Sequence, residues 1–467
     1  MKAFTEPLLS LAGFEEMTKT AEKSSGLISV TGCIDAQKSQ MIYAFGGHRK
    51  NKLIVTFGEQ KAKELYDEYS FFDKEVVYYP SKDVLFYQSD IRGNLLTAER
   101  IRALKAIREQ ERVTLVTTFD ALMNTMAPIE KMWENVLTLE QRQLLDLKEI
   151  QAALIRMGYE KEYQVQTMGQ FSVRGGILDV FPLTEENPIR IELWGDEIDT
   201  IRYFDCESQK SIENIDRVSI YPAAELVLSD EEKARGIEKL KAEAKRVSDK
   251  LRKQMKTEEA HRVSVMADEL TEEWGELSMY AGMDAFLSYF FDERVGLLDY
   301  FKPSDSLIFF DELTRCTEQG KLTETEFSES MKQRLAMGYI LPGQMNGLFT
   351  EKEIVAKLEK YSCIALGALD NKANGLHQLG SYGIHCQSVS PYNNSFELLI
   401  KDLKRYKKNG YRVILLSGSR TRAKRLSEDI TDQGITCFYT ENYDHELSEG
   451  QIMVCYGKVR RGFEYPI

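Results

Sequence analysis

About the first 125 residues alternate between short apolar runs and longer amphipathic stretches. The apolar runs have the length of buried strands, and the stretches between them repeat apolar residues three and four positions apart, as helices do. The predicted strands are residues 26–30, 53–57, 75–79 and 113–117, and the predicted helices are residues 36–45, 59–69 and 97–110. This alternation predicts a parallel sheet covered by helices.

The pattern changes after residue 128. Short strands separated by Gly, Pro and Asn predict a small, largely antiparallel domain, and the charged run 229–275 predicts one or two exposed helices. A strand returns at 307–310, and helices 396–408 and 421–433 alternate with strands 413–417 and 436–439. The expected fold class is α/β, with a parallel-sheet lobe (1–128 and 223–346), an inserted β-rich domain (129–222) and a small α/β domain (347–467).

The run 189–194 separates apolar from polar side chains along one strand. By the two-residue period of a strand, one face carries Ile189, Ile191 and Leu193, and the other carries Arg190, Glu192 and Trp194. An arginine beside a tryptophan on an open sheet face is typical of protein–protein interfaces. A second layer that buries Trp194 is the alternative, and the spacing does not separate the two. On an open face, we expect Glu192 to pair with Arg190.

The composition is that of an ordinary globular protein. The chain has 467 residues, which allows two to four domains, and its net charge of −13 argues against one dominating footprint for duplex nucleic acid. Basic residues cluster between 401 and 425, where a DNA contact and a solvated helix face are both open. The seven cysteines are dispersed without a CxxC pair, which predicts reduced thiols and no metal site. Without an apolar run of membrane length or a signal peptide, we expect a cytoplasmic protein with no membrane partner.

An altered phosphate-binding loop follows the first predicted strand. The run 32–39, GCIDAQKS, keeps Gly32, Lys38 and Ser39 of the pattern G-x-x-x-x-G-K-[ST], but Gln37 replaces the second glycine. A side chain at that position crowds the approach of phosphates to the backbone, and Asp35 adds a negative charge where the ligand's own charge would lie.

The second part of such a site is a strand that ends in acidic residues. Residues 307–310 are apolar and are followed by Asp311 and Glu312, as in strands that bind magnesium, although paired acids are also common at strand ends. We predict a vestigial nucleotide site, formed by Gly32, Lys38, Ser39, Asp311 and Glu312, that does not hydrolyse ATP. Coincidence is the alternative.

Three longer motifs give the sequence a resemblance to a known family. They are VRGGILDVFP at 173–182, IELWGDEIDTIRYFD at 191–205 and GLLDYFKPSDSLIFFDEL at 296–313. In this order they resemble the amino-terminal part of bacterial transcription-repair coupling factors, whose first module is similar to the excision-repair protein UvrB. The resemblance implies that the parallel-sheet lobe is RecA-like. The resemblance covers essentially the whole chain, which we therefore expect to be part of a longer protein.

The resemblance implies a partner and the residues that bind it. In the family the small inserted domain docks onto UvrA, and the contact positions correspond here to Arg174, Arg190 and Trp194, where many members have a different aromatic at the last position. It implies no cofactor for this chain, and ATP and magnesium for motor domains elsewhere in the full-length protein. RNA polymerase and duplex DNA would likewise bind those other domains. We expect alanine substitutions at the three contact positions to weaken binding without lowering thermal stability.

The preferred interpretation is a non-catalytic module that recruits UvrA to stalled RNA polymerase, within a family of ATP-dependent DNA translocases. An active UvrB-type subunit that binds ATP through a tolerant loop is the enzymatic alternative. A DNA-binding structural module is the third.

Overall fold

A computed structural model describes residues 1–23, 25–45, 49–84, 91–276, 282–373 and 375–466. The side chains of 91–94 are outside this description. No helix in these ranges is both long enough and apolar enough to cross a membrane.

The first part of the chain alternates helices and strands, as its pattern predicts. The helices are α1 (Lys2–Thr5), α2 (Phe14–Lys23), α3 (Asp35–Ala44), α4 (Glu59–Tyr69), α5 (Ile91–Glu109), α6 (Phe119–Met123) and α7 (Ile129–Glu134), with a 3-10 helix at Glu6–Ser10. The strands are β1 (Gly26–Thr31), β2 (Asn51–Thr56), β3 (Val77–Tyr79) and β4 (Val113–Thr118). Strand β4 is buried along its whole length, as expected for an interior parallel strand.

Short strands and one helix follow. They are β5 (Leu137–Glu140), α8 (Leu147–Arg156), β6 (Glu160–Lys161), β7 (Gln170–Arg174), β8 (Ile177–Val180), β9 (Ile189–Trp194), β10 (Glu197–Phe204), β11 (Ser211–Ile215) and β12 (Arg217–Ile220). One sheet has the strand order β11-β10-β9-β8-β7-β6, antiparallel except for the β6–β7 pair, and β5 pairs with β12 beside it. This is the inserted β-rich domain that the sequence predicts.

The charged run forms two long helices, α9 (Asp230–Lys253) and α10 (Thr257–Glu276), followed by the short α11 (Leu287–Phe290). Helix α9 begins at a capping box between Ser229 and Glu232, with acids in its first turn and bases in its last, which suits the helix dipole. The helices bury a narrow apolar stripe that includes Leu240, Ala260 and Val263, and their outer faces are charged. The 3-10 helices Met283–Phe286, Leu297–Tyr300 and Pro303–Asp305 lie around and after α11.

The remaining elements complete the first sheet and build a second α/β unit. They are β13 (Ser306–Asp311), α12 (Leu313–Ala336), α13 (Glu351–Leu358), β14 (Ser362–Leu366), β15 (Gln378–Gly383), β16 (Gln387–Ser388), α14 (Phe396–Lys408), β17 (Val413–Ser417), α15 (Arg420–Asp432), β18 (Phe438–Tyr439), β19 (Ile452–Tyr456) and β20 (Phe463–Glu464), with a 3-10 helix at Pro342–Asn346.

The large sheet is wholly parallel and has the strand order β15-β1-β14-β13-β2-β4-β3. Helices cover both faces of the sheet. Alternate residues of the central strands therefore point into two different cores. Ile308 and Phe310 belong to one core, and Phe309 belongs to the other. The predicted α/β class with a β-rich domain is confirmed.

The predicted domain boundary at residue 347 needs correction. Strands β14 and β15 lie beyond it, yet both pair with β1, so the first lobe continues to Gly383. The small sheet β17-β19-β18 begins only at Val413. Apolar strands look alike in sequence whichever sheet they join, and for this reason the pattern did not place the boundary.

A buried ionic cluster holds the segment just after the inserted domain in place within the first lobe. Glu225, five residues after β12, receives a hydrogen bond of 2.7 Å from Nε of Arg100 on α5 and pairs with Lys82, which also pairs with Asp284. Burial alone would raise the pKa of Glu225, but the charges of Arg100 and Lys82 outweigh it and lower the pKa to about 2. The cluster therefore stabilises the position of the segment that follows the inserted domain while Glu225 is ionised.

We expect Glu225→Gln to lower the free energy of unfolding at pH 7 by about 2–4 kcal/mol, because Arg100 loses its buried carboxylate and Lys82 loses one of its two carboxylates. A carboxyl group with a lowered pKa contributes stability above its unfolded value, and loses this contribution as the pH falls through the folded value. The difference between wild type and variant should thus shrink from about pH 4.5 towards about pH 2. Urea denaturation across this range measures it, and a difference independent of pH would contradict the assignment.

Candidate functional site

The inserted domain has one covered and one open sheet face. Phe171, Leu178 and Ile191 point to the covered face, where they pack with Ile150 and Leu154 of α8. The open face carries the alternate residues of β7 to β10, namely Ser172, Arg174, Ile177, Asp179, Arg190, Glu192, Trp194, Thr200 and Arg202.

Trp194 lies at the end of β9 on this open face, and 83% of its surface is exposed. The alternative in which a second layer buries it is therefore wrong. Gly195, next in the chain, has a positive φ of 63° and turns the chain from β9 into β10. The hairpin holds the indole out from the domain, where it has little to contribute to folding.

Arg174 and Arg190 converge on one carboxylate. Asp179 lies between them on β8 and receives two hydrogen bonds of 2.8 Å from Nε and Nη2 of Arg190, and one of 3.4 Å from Nη2 of Arg174. The Arg190 side chain is only 12% exposed, against 38% for Arg174. The hydrogen bonds that Arg190 donates to Asp179 raise the pKa of Arg190 and keep it charged. The structure thus brings the two predicted arginines together.

The sequence predicted a pair between Glu192 and Arg190, but Glu192 has other partners. Its carboxylate receives hydrogen bonds from Arg202, at 2.7 and 3.2 Å, and from Thr200 at 3.1 Å. Both partners lie on β10, across the sheet from Glu192. Cross-strand neighbours are closer than residues two apart on one strand, but the register that selects them is not visible in the pattern.

Tyr163 is a second exposed aromatic on this domain that the sequence reasoning did not single out. It is 82% exposed, and the guanidinium of Arg174 lies 6.0 Å from its ring centre. The only signal in the sequence is an aromatic in a strongly polar run, EKEYQ. We call Tyr163, Arg174, Arg190 and Trp194, with Asp179 between the arginines, the docking strip.

Lys38, the lysine of the altered phosphate loop, is buried among carboxylates. Its Nζ lies 2.6 Å from Asp311, 3.1 Å from Glu312 and 3.3 Å from Asp35. Burial alone would lower the pKa of Lys38, but these carboxylates outweigh it and raise the pKa above its usual value. The charge of the lysine is neutralised within the chain itself.

The backbone of the loop is also engaged. The amides of Gly32 and Cys33 donate to the carbonyls of Ala368 and Gly367, at 3.1 and 3.0 Å, in the segment after β14. Gly32 has a φ of 78°, and a Cβ there would meet the carbonyl oxygen of Ile384 at 2.0 Å, so close chain packing alone requires this glycine. Ser39 is buried, and its hydroxyl has no hydrogen-bond partner among the described residues.

The predicted cluster of basic residues is divided between two ends of the last unit. Lys404, Lys407 and Lys408 lie in the second half of α14, where positive charge suits the helix dipole, and Lys407 donates to the carbonyl of Thr436. Arg420 and Arg422 lie in the first turn of α15. DNA binding by these residues stays a prediction. In the ranges given above, no group of His, Cys, Asp and Glu side chains has the arrangement of a metal site.

Comparison with known protein families identifies the class of the inserted domain. Residues 137–226 match the family model of the UvrB interaction domain, and this range contains the whole docking strip.

Full-length relatives then place the chain. It is 27% identical over 417 residues to the transcription-repair-coupling factor of Bacillus subtilis. The matched region covers 89% of this chain and 35% of that protein. The corresponding factors of Staphylococcus haemolyticus and Staphylococcus aureus are 26% and 25% identical over 449 and 466 residues, or 94% and 97% of this chain. The chain spans 35–38% of the length of these relatives. The resemblance to transcription-repair-coupling factors is confirmed.

Proposed function

We propose that this chain is the part of a transcription-repair-coupling factor that recruits the excision-repair protein UvrA. The observation that carries the proposal is the docking strip. It presents two arginines and an exposed tryptophan on the open sheet face, with an exposed tyrosine near Arg174, in a domain that matches the UvrB interaction domain. Aromatic and arginine side chains of this kind dominate the energy of protein interfaces. A tryptophan that is 83% exposed buries little apolar surface in the free chain and therefore contributes little to its stability.

The chemistry of the strip indicates what it binds. Arginine forms paired hydrogen bonds to carboxylates, and Arg174 retains an exposed part of its side chain for such a contact. Trp194 and Tyr163 offer large apolar surfaces at little entropic cost, since each has only two side-chain torsions. A partner surface with an acidic residue next to an apolar pocket fits this arrangement.

We further propose that the first lobe does not hydrolyse nucleotide and acts as a scaffold. A working phosphate loop needs a free lysine and free amides. Lys38 is paired with Asp311 and Glu312, and the amides of Gly32 and Cys33 are bonded to the chain. The proposal includes no ATP or magnesium for this chain. ATP-driven movement along duplex DNA and contact with RNA polymerase would belong to other parts of the full-length protein.

Arg174→Ala tests the recruitment proposal. We expect about 30-fold or greater loss of affinity for purified UvrA, which corresponds to about 2 kcal/mol. Stability should be unchanged, because the contact of Arg174 with Asp179 is long, at 3.4 Å. Calorimetric titration measures the affinity. Arg217→Ala, at a side chain that is 66% exposed elsewhere in the same domain, is the matched control. Equal affinities for the two variants would refute the role of Arg174, and no binding by wild type would refute the proposal.

Thermal shift with ATP and magnesium tests the scaffold proposal. A ligand that binds only the folded state raises its melting temperature, so a functional site would give a shift of several degrees at saturating ATP. We expect no such shift for wild type. Gln37→Gly should also give none, because restoring the glycine does not release Lys38 from Asp311. A clear shift of the wild-type protein would favour the enzymatic alternative.

A further inference from the structure

Asp179 is an almost completely buried carboxylate on the open face of the inserted domain. Its exposed fraction is 1%, although its position on β8 points away from the core beneath the sheet. The arginines themselves cover it, Arg190 from the neighbouring strand β9 and Arg174 from the end of β7 on the other side. A buried carboxylate is costly unless it is paired, and this one is paired with the two arginines that the proposed function assigns to the partner.

The contacts of Asp179 fix the orientation of Arg190. Both carboxylate oxygens receive hydrogen bonds of 2.8 Å from Nε and Nη2, a geometry that holds the guanidinium in the plane of the carboxylate. Nη2 also donates to Oε1 of Gln209 at 2.8 Å, and the guanidinium lies 4.3 Å from the ring centre of Phe204. Arg190 is thus held by its neighbours before any partner arrives.

Asp179 also determines the charge of the strip. Two guanidinium groups that share one carboxylate leave a net charge of +1, so one further carboxylate from a partner would make the cluster neutral. Without Asp179 the two arginines would repel one another and would be free to move apart. Binding would then carry the entropic cost of ordering two long side chains.

We propose that Asp179 is the positioning residue of the docking strip: it holds Arg174 and Arg190 in place so that they receive an acidic side chain of the partner. This inference rests on the proposed function and deepens it. In this proposal Asp179 does not contact the partner itself and affects binding only through the two arginines.

Asp179→Asn separates positioning from charge. The substitution keeps the size of the side chain but raises the net charge of the strip by one. If attraction to an acidic partner were all that mattered, affinity for UvrA would stay equal or increase. We expect instead a loss of about 10-fold, mostly through faster dissociation, because the arginines lose their fixed geometry.

A double-mutant cycle tests whether Asp179 acts through the arginines. Calorimetry on wild type, Asp179→Asn, Arg190→Ala and the double variant should show the loss from Asp179→Asn largely disappearing once Arg190 is gone. An equal loss in both backgrounds, or wild-type affinity for Asp179→Asn, would overturn the proposal. If Asp179→Asn is unfolded by circular dichroism, Asp179→Glu takes its place. It keeps the charge and displaces the carboxylate, so a loss of several-fold is expected, and wild-type affinity would overturn the proposal.

The two proposals fail in different ways. If wild type does not bind UvrA, the recruitment proposal fails. If Trp194→Ala weakens binding and Asp179→Asn does not, recruitment stands and the positioning role of Asp179 falls.

Discussion

Trp194→Ala should reduce affinity for UvrA by about 100-fold or more while leaving the melting temperature unchanged. A tryptophan at the centre of an interface typically contributes about 2–4 kcal/mol, and its loss removes contacts made only in the complex. Within the free chain the side chain is 83% exposed, so its removal opens no cavity. Calorimetric titration gives the affinity and circular dichroism gives the melting curve.

The matched control is Met255→Ala. Met255 is 86% exposed and lies in the turn between α9 and α10, outside the docking strip. The Met255→Ala variant should bind UvrA as tightly as wild type. A fall of several degrees in the melting temperature of Trp194→Ala would mean that the indole packs within the domain. Equal affinities for the two variants would mean that exposure at residue 194 has no role in recruitment.

Arg190→Ala should lower both affinity and stability, which revises the expectation drawn from the sequence that stability would not change. Removing Arg190 takes away both 2.8 Å hydrogen bonds of Asp179 and leaves it with the 3.4 Å contact from Arg174. Breaking a buried pair by deleting one partner typically costs about 3–5 kcal/mol, and we expect about 2–4 kcal/mol because Arg174 can partly compensate. Urea denaturation measures the free energy of unfolding.

Arg202→Ala is the matched control for this effect. Arg202 pairs with Glu192 on the same sheet face, but both side chains are partly exposed, at 23% and 31%. Such pairs contribute about 0–1 kcal/mol. Similar small losses of stability in the two variants would show that Asp179 is less dependent on Arg190 than its burial indicates.

Local patterns in the sequence were sufficient for most elements. Helix Phe396–Lys408 and strand Val413–Ser417 lie at the predicted residues, because an amphipathic run capped by Ser395 and a five-residue apolar run leave few alternatives. The side-chain alternation of Ile189–Trp194 was predicted for the same reason. In each case, residues within a few positions of one another determine the outcome.

Contacts between distant residues could not be predicted. The membership of β14 and β15 in the first sheet depends on pairing across more than 300 residues. The partners of Glu192 depend on the register of two strands. Lys38 meets Asp311, 273 residues away, only after the parallel sheet has formed.

Asp179 shows the same limit at the docking strip. In the sequence it is one acid within VRGGILDVFP, and no nearby residue indicates its role. Its role becomes visible only when β7, β8 and β9 align and bring Arg174 and Arg190 to either side. Arg190 was found through the alternation along its strand and Arg174 through resemblance to a family, whereas the residue that orients them required the structure.

Amide hydrogen exchange on the chain, with and without UvrA, tests the central claim most directly. If the docking strip is the interface, binding should slow exchange in the hairpins β7–β8 and β9–β10 and around Tyr163, and leave the last α/β unit unchanged. Protection confined to the last unit or to the altered phosphate loop, with the inserted domain exchanging as before, would contradict the account.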